Sequence, residues 1–172
     1  RLSHDECQFG YRDSLFKSIE PDRYVITGVE LELGQQPEVT HYPDIQKAVA
    51  KYPQNTMFAS RIAEEVIRVR RGKLPDHRYI GNVGSFFQNP VVSADLLERL
   101  RSQMDLPAFA VDGGYKIPAA RLIDVAGWKS KTYKSAQVWP QQPLVLVNLG
   151  SSTSVEVLEL ARQITADLFE RY

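Results

Sequence analysis

The chain has 172 residues, of which 43% are hydrophobic and 24% charged, so its length allows one large domain or two small ones. Its 21 basic and 21 acidic residues balance, which argues against a nucleic-acid-binding surface, because such a surface needs a concentrated basic patch. Apolar stretches such as residues 143–147 are far shorter than the roughly 20 residues that span a bilayer. We therefore expect a soluble protein with neither a nucleic-acid nor a membrane partner.

The single cysteine and the three histidines exclude two further classes of site. Cys7 alone offers neither an internal disulfide nor a metal-binding cluster, and we expect a reducing, cytoplasmic location. The histidines are dispersed without ligand spacing, so no metal site is expected. Residues 1–16 begin with Arg1 and lack the apolar run of a signal peptide. We expect the chain to begin inside a longer one.

In chain order, the first predicted element is a strand over residues 23–33, where apolar and polar side chains alternate and one face is expected to be buried. Residues 44–52 predict a short helix between two prolines, and residues 58–70 a longer one with Phe58, Ile62, Val66 and Val69 on one stripe. Its polar face includes Glu65. The glycine and proline of residues 72–76 end this helix, and we place a domain boundary there, between residues 1–75 and 76–172.

The second half begins with a predicted glycine-rich loop over residues 81–85. After it we expect a helix over 94–104 capped by Ser93, and two strands at 108–111 and 115–117 joined by a tight turn. A helix over 118–126 and a buried strand over 143–148 follow. The last expected element is a helix over 154–169 with a capping box at Thr153 and Glu156. Strands and helices do not follow a regular βαβ rhythm, so the sequence predicts the α+β class.

Two segments carry residue types suited to binding an anion or a reactive group. In residues 81–85, Gly84 allows close approach of a ligand to the backbone and Ser85 can donate a hydrogen bond; an ordinary tight turn before a strand explains the same spacing. The neighbouring Tyr11 and Arg12 suit carboxylate or phosphate recognition, because the arginine fork is bidentate. A solvated ion pair near Asp13 is the alternative.

Two polar residues near the ends of predicted elements leave similar alternatives. Lys73 follows a helix end and can anchor a phosphate or merely complement the helix dipole. Gln142 precedes the buried strand, where its amide can recognise a uracil or a sugar hydroxyl or serve as an ordinary loop residue. The residues alone therefore indicate several polar loops without a self-sufficient catalytic motif.

Five segments together resemble the UDP-N-acetylenolpyruvoylglucosamine reductases, the MurB family of flavoenzymes in peptidoglycan precursor synthesis. They occur in the family's order and are YRDSLFK from Tyr11, GKLPD from Gly72, GNVGSFFQNPVV from Gly81, AARLID from Ala119 and QQPLVLVN from Gln141. The double phenylalanine after Ser85 and the tyrosine of VTHYPD, Tyr42, resemble the family's first type, which has an additional tyrosine-bearing substrate loop.

The resemblance implies a domain arrangement and cofactors. Residues 1–75 are expected to be the end of an FAD-binding domain, and residues 76–172 an α+β substrate-binding domain. The expected enzyme uses FAD and NADPH to reduce UDP-N-acetylenolpyruvoylglucosamine to UDP-N-acetylmuramate. The family's amino-terminal half and its closing tail, with a catalytic glutamate, are not in this sequence, so we expect the chain alone to be inactive.

The resemblance also implies residue roles. Ser85 is expected to donate the proton and Arg12 to stabilise the enolate. Gly84 is expected to contact the cofactor, and the expected substrate-binding residues are Tyr11, Tyr42, Lys73, Asn89 and Gln142. A stand-alone module that binds a UDP-sugar or nucleotide without redox chemistry remains the alternative function, and a protein-binding adaptor is a third.

Overall fold

The structure is a computed structural model that describes residues 1–34, 42–53, 55 and 57–172. It contains helices and two antiparallel sheets, which confirms the α+β class. The chain divides into two compact units, residues 1–38 and 39–172, whereas the domain boundary expected between residues 75 and 76 stays a prediction. Residues 39–41 of the motif around Tyr42 lie outside the described residues. Within those residues, we find no helix that combines the length and the apolar character needed to cross a membrane.

The first unit begins with a short helix, α1, at His4–Cys7. Ser3 and Glu6 cap it reciprocally: the Glu6 backbone N–H donates to the Ser3 hydroxyl, and the Ser3 N–H donates to the Glu6 carboxylate at 2.8 Å. The helix buries Cys7, and a π-helical turn at Leu15–Ile19 buries Leu15. These two side chains form the apolar interior that this unit shows.

The strand expected over residues 23–33 is wrong. Residues 24–34 belong to no helix or strand and pair with no described strand, and most of the apolar side chains that alternate along them are exposed, Val25 at 88% and Leu33 at 81%. Alternation specifies which face of a strand is apolar. The strand itself forms only when a neighbouring strand accepts its backbone hydrogen bonds.

The second unit opens with a helical hairpin made of α2, Pro43–Val49, and α3, Phe58–Lys73, close to the ranges predicted. The predicted stripe of α3 packs on α2 in a small apolar cluster around Ile45, Val49 and Phe58. The expectation that Glu65 lies on the solvated face is wrong: it is 4% exposed. Its carboxylate accepts hydrogen bonds from Tyr52 Oη at 2.8 Å and Arg68 Nε at 2.6 Å, which satisfy the buried charge.

A four-stranded antiparallel sheet supports the next part of the chain. Its strands are, in spatial order, β1 at Gly81–Ser85, β7 at Val145–Asn148, β6 at Ala136–Val138 and β5 at Thr132–Tyr133. The segment expected to be a glycine-rich loop is therefore an edge strand. The last helix, α6 at Ser154–Arg171, begins at the predicted capping box and covers this sheet. Their shared core includes Ile123, Ala136, Val138, Leu146, Leu160 and Ile164.

A second, three-stranded sheet has the order β2, Val91–Val92, then β4, Gly114–Lys116, then β3, Phe109–Val111. The helices beside it are α4 at Ala94–Arg101, capped by Ser93 as predicted, and α5 at Ala119–Val125. A Cβ added to Gly114 would meet the Val92 carbonyl oxygen of the neighbouring strand β2 at 2.5 Å, so only glycine fits at the start of β4. Leu97, Leu100, Leu106, Ile117 and Leu122 form the core here.

Candidate functional site

Gly84 and Ser85 lie at a bulge of the edge strand β1. The strand pairs Asn82 with Val147 and Ser85 with Val145, so the register shifts between these two pairs. Gly84 has a φ of +64°, and an added Cβ would have no atom within 4 Å. The open space beside its Cα leaves this stretch of backbone accessible, and the neighbouring Ser85 is exposed.

The backbone of this bulge differs from the sequence-based expectation in one respect. The close approach expected at Gly84 does not include a free backbone donor, because the Gly84 N–H donates to Asn82 Oδ1 at 3.1 Å. Asn82 Nδ2 in turn donates to the Ile80 carbonyl at 3.2 Å. The Asn82 side chain thus fixes the bulge, and Gly84 offers an open surface rather than an N–H donor.

Tyr42 and Lys73 lie at the same end of the helical hairpin. Tyr42 precedes α2 and is 74% exposed, and Lys73 is the last residue of α3. Lys73 Nζ donates to the carboxylate of Asp44, the second residue of α2. This ion pair lowers the pKa of the Asp44 carboxyl, chiefly through the hydrogen bond from Lys73.

An open cleft of about 570 Å³ runs between α2 and α3 around this ion pair. Its charged lining consists of three cations and one carboxylate: Lys47, Arg68, Lys73 and Asp44. Arg68 is paired with Glu65 and Lys73 with Asp44, so Lys47 adds the positive charge that suits an anionic ligand.

Trp139 joins this hairpin to the four-stranded sheet. Its indole Nε1 donates to the Lys73 carbonyl at 3.0 Å, across 66 residues of sequence. This carbonyl belongs to the last turn of α3, whose carbonyls have no partner within the helix. The hydrogen bond therefore caps α3 and fixes the position at which Lys73 leaves it.

Gln142 lies on the turn between β6 and β7, in the same hairpin as Trp139. The Gln142 N–H donates to the Trp139 carbonyl at 3.3 Å, and its carbonyl accepts from the Val145 N–H at 2.9 Å. Its side-chain Oε1 is buried and has no hydrogen-bond partner among the described residues. Buried polar atoms are nearly always hydrogen-bonded, so this acceptor is suited to a ligand N–H or O–H.

Asn89 is half-buried beyond β1, where the chain enters the three-stranded sheet. Its Oδ1 accepts a hydrogen bond from the Ala119 N–H at 3.0 Å, at the start of α5. The carboxamide orientation is thereby fixed, and the Nδ2 donors take no part in this contact.

Tyr11 and Arg12 belong to the first unit, where they form the tip of a tight turn. Gly10 and Asp13 close the turn through reciprocal backbone hydrogen bonds of 3.0 and 3.3 Å. Arg12 has a φ of +56°, a conformation that costs a non-glycine residue about 1–2 kcal/mol. Lys17 Nζ supports the turn by donating to the Arg12 carbonyl at 2.6 Å.

Within the second unit, hydrogen bonds thus connect several of the predicted residues. Tyr42 and Lys73 share the end of the helical hairpin, Trp139 connects Lys73 to the Gln142 turn, and Ser85 pairs with Val145 on the strand that follows this turn. Two residues of this arrangement, Asp44 and Trp139, received no role from the sequence. Their contacts with Lys73 span 29 and 66 residues, and no local spacing reveals such contacts.

Comparison with known proteins identifies the family to which the chain is similar. The sequence profile of the UDP-N-acetylenolpyruvoylglucosamine reductase C-terminal domain matches residues 75–172. The reductase of that name from Bdellovibrio bacteriovorus is 43% identical over 99% of this chain and 51% of its own length. For the reductase from Pseudomonas putida the identity is 42%, over 97% of this chain and 50% of that protein.

Among solved structures, the reductase from Thermus caldophilus matches with a TM-score of 0.41 and 24% identity, over 66% of this chain and 32% of that one. The chain spans about half the length of the curated relatives it matches. The family profile alone covers more than half of the chain, and it confirms the resemblance drawn from the five motifs. The chain belongs to the UDP-N-acetylenolpyruvoylglucosamine reductase family.

Proposed function

We propose that this chain is part of a reductase that converts UDP-N-acetylenolpyruvoylglucosamine to UDP-N-acetylmuramate with FAD and NADPH, and that residues 76–172 are its substrate-binding domain. Family membership supports the reaction. The observation that carries the proposal for these residues is the hydrogen-bonded path from Lys73 through Trp139 to Gln142, with Ser85 paired on the strand that follows. Within one unit, this path connects Lys73, which suits a phosphate, with Gln142, which suits a hydroxyl, and with Ser85, which suits proton donation. The start of the profile match at residue 75 supports residues 76–172 as a separate substrate-binding domain.

The nucleotide end of the substrate is assigned to the helical hairpin and the β6–β7 turn. Lys73 Nζ donates to the diphosphate in the cleft that it lines together with Lys47, and the exposed Tyr42 at the same end of the hairpin donates through its hydroxyl. Gln142 Oε1 accepts from a uracil N–H or a sugar hydroxyl, which satisfies its buried lone pairs. Asn89 donates through Nδ2 while its Oδ1 stays on α5.

The bulge of β1 fits the close approach of a flat cofactor. No atom would lie within 4 Å of a Cβ at Gly84, so a ring can lie against the backbone there without displacing a side chain. Gly84 is accordingly the contact for FAD within this unit. When bound, FAD accepts electrons from NADPH and supplies a hydride to the terminal methylene carbon of the enolpyruvyl group.

Ser85 completes the reduction on the substrate. After hydride addition, the electron pair of the former double bond lies on the carbon next to the carboxylate, as an enolate. The Ser85 hydroxyl donates its proton to this carbon, forms the new C–H bond, and regains a proton from solvent. Its exposed position on the edge strand allows both transfers.

Arg12 is assigned to the carboxylate on which the enolate charge accumulates. A guanidinium offers two parallel N–H donors to a carboxylate and stays protonated. The reciprocal hydrogen bonds between Gly10 and Asp13 hold the backbone of Arg12 in the turn. Tyr11 adds a phenol donor at the same turn.

Substitution Ser85→Ala in the full-length reductase tests the mechanism. We expect flavin reduction by NADPH to remain within twofold of wild type, and substrate reduction to slow by about 10²- to 10⁴-fold, the usual range for a general acid. The control Ser102→Ala removes a hydroxyl that donates to the Arg99 carbonyl at the end of α4, and both half-reactions should be unchanged. Equal losses in the two half-reactions of Ser85→Ala would contradict the assignment of Ser85 as proton donor.

A UDP-sugar-binding module without redox activity is the second candidate. The roles proposed for Gln142 and Lys73 concern nucleotide binding alone, and they require no electron transfer. The two candidates differ in the full-length protein. A yellow preparation whose flavin is reduced by NADPH and reoxidised by the enolpyruvyl substrate supports the reductase. A colourless preparation that UDP-N-acetylglucosamine protects against thermal unfolding supports the module.

A further inference from the structure

In the cleft between α2 and α3, the proposed phosphate-binding residue Lys73 is already paired with an anionic side chain of the protein. The Asp44 carboxylate accepts a hydrogen bond from Lys73 Nζ. Carboxylate and phosphate oxygens are equivalent partners for an ammonium group, because both are anionic acceptors of its N–H donors. The Asp44 carboxylate therefore stands where a phosphate oxygen of a nucleotide would bind Lys73.

We propose that Asp44 is a built-in competitor of the nucleotide diphosphate for Lys73, and that it thereby sets the affinity and charge selectivity of the nucleotide site. This inference rests on the proposed function, since it takes Lys73 as a phosphate ligand. It assigns an effect on specificity to Asp44, although the Asp44 carboxylate donates no hydrogen bond to the ligand.

The geometry makes coexistence of the two anions costly. The ammonium group has three donors, so it can contact two anions at once. A phosphate bound to Lys73 Nζ beside Asp44 would, however, lie close enough to the carboxylate for the two negative charges to repel each other. The ligand must either displace the carboxylate or bind against this repulsion. In both cases part of the electrostatic attraction between Lys73 and the phosphate is offset.

The exposure of the ion pair makes displacement feasible. The side chains of Lys73 and Asp44 are 49% and 59% exposed, so a released carboxylate is solvated by water. Lys47 also lines the cleft and retains its positive charge there when Asp44 leaves, whereas Arg68 is paired with Glu65. By contrast, Glu65 is held in place by burial, and its side chain is only 5% exposed. Of these two acidic residues, Asp44 is therefore the one that can exchange.

Asp44 also belongs to the first turn of α2, two residues after Tyr42. Its release from Lys73 removes the contact between this turn and the end of α3. Ligand binding at Lys73 is thus coupled to the helix terminus at which Tyr42 lies.

The inference predicts selectivity by charge. A diphosphate competes with a single carboxylate through its larger negative charge, whereas a neutral nucleoside makes no contact with Lys73. Removal of the Asp44 charge should therefore strengthen binding of UDP and leave binding of uridine unchanged. Exposed ion pairs contribute roughly 0.2–1 kcal/mol, which corresponds to an expected gain in UDP affinity of about 1.4- to 5-fold.

Calorimetric titration of the full chain with UDP and with uridine tests the inference. Asp44→Asn should bind UDP about 1.4- to 5-fold more tightly than wild type, with uridine unchanged. The matched control Asp124→Asn removes the charge of another exposed ion pair, with Lys129 Nζ at 2.8 Å, and should leave both affinities unchanged. The double variant Asp44→Asn with Lys73→Met should bind UDP no better than Lys73→Met alone, because the gain acts through Lys73.

The outcomes separate this inference from the proposed function. Loss of UDP affinity in Lys73→Met without a gain in Asp44→Asn overturns the competitor role and leaves the proposed function standing. An affinity gain that persists in the double variant, or that appears equally for uridine, also overturns it. Failure of wild type and Asp44→Asn alike to bind UDP contradicts the nucleotide site and with it the inference.

Discussion

The hydrogen bond from Trp139 to the end of α3 predicts a local effect that can be measured without substrate. Trp139→Phe keeps an aromatic ring but removes the indole N–H that reaches the Lys73 carbonyl at 3.0 Å. A neutral hydrogen bond contributes about 0.5–1.5 kcal/mol net. Opening of the last turn of α3 should therefore become about 2- to 13-fold more frequent.

Amide hydrogen exchange measures this opening directly. The informative amides are those of residues 70–74, which include the Leu74 N–H bonded to the Arg70 carbonyl at 2.8 Å. Because Lys73 is assigned to the diphosphate, UDP affinity should fall by no more than the same factor. Exchange in the core beside the three-stranded sheet, around Ile117, should not change, since this residue is fully buried in a separate apolar cluster.

The second tryptophan provides a matched control. Trp128 Nε1 donates to Asp167 Oδ2 at 2.7 Å, on α6. Trp128→Phe makes the same chemical change and should accelerate exchange near residue 167 rather than at residues 70–74. Unchanged exchange at the end of α3 in Trp139→Phe, or an equal increase there in Trp128→Phe, would refute the anchoring role of Trp139.

Two further predictions concern stability. Thr153→Ala removes the side-chain acceptor of the Glu156 N–H at the start of α6 and should lower the free energy of unfolding by about 0.5–2 kcal/mol in urea titrations; an unchanged midpoint would contradict the cap. Hydrogen bonds from Tyr52, then Arg68 and Lys51, lower the pKa of Glu65 from 4.5 to about 2. Since this folded-state pKa lies below the unfolded one, the stability contributed by Glu65 is complete above pH 4.5 and is lost as pH falls towards 2. Glu65→Gln should therefore show a weaker loss of stability than wild type over this range by circular dichroism, and parallel curves would contradict the prediction.

Most helices of the second unit could be predicted because their signals are local. The capping box of α6 and the Ser93 cap of α4 occur where the sequence places them. The apolar stripe of α3 packs on α2 as its spacing indicates. Such signals depend on residues three or four positions apart, so a single sequence contains them.

The failed strand over residues 23–33 and the unforeseen strand β1 show the limit of local signals. The first segment has the alternation of a strand but no described partner, and the second has two glycines yet pairs with β7. Strand formation depends on a distant partner for the backbone, which the segment's own residues do not specify.

For the candidate site, the chemical groups and the family could be predicted from the sequence. The motifs supply a serine beside an open glycine, an arginine at a turn and a lysine at a helix end, and their order indicates the reductases. Which of these groups are connected became visible only in the folded chain. There Asp44 lies on Lys73, Trp139 lies on the end of α3, and the turn that follows contains a Gln142 oxygen that no other described residue binds. These contacts join residues distant in sequence, and only folding brings such residues within hydrogen-bond distance.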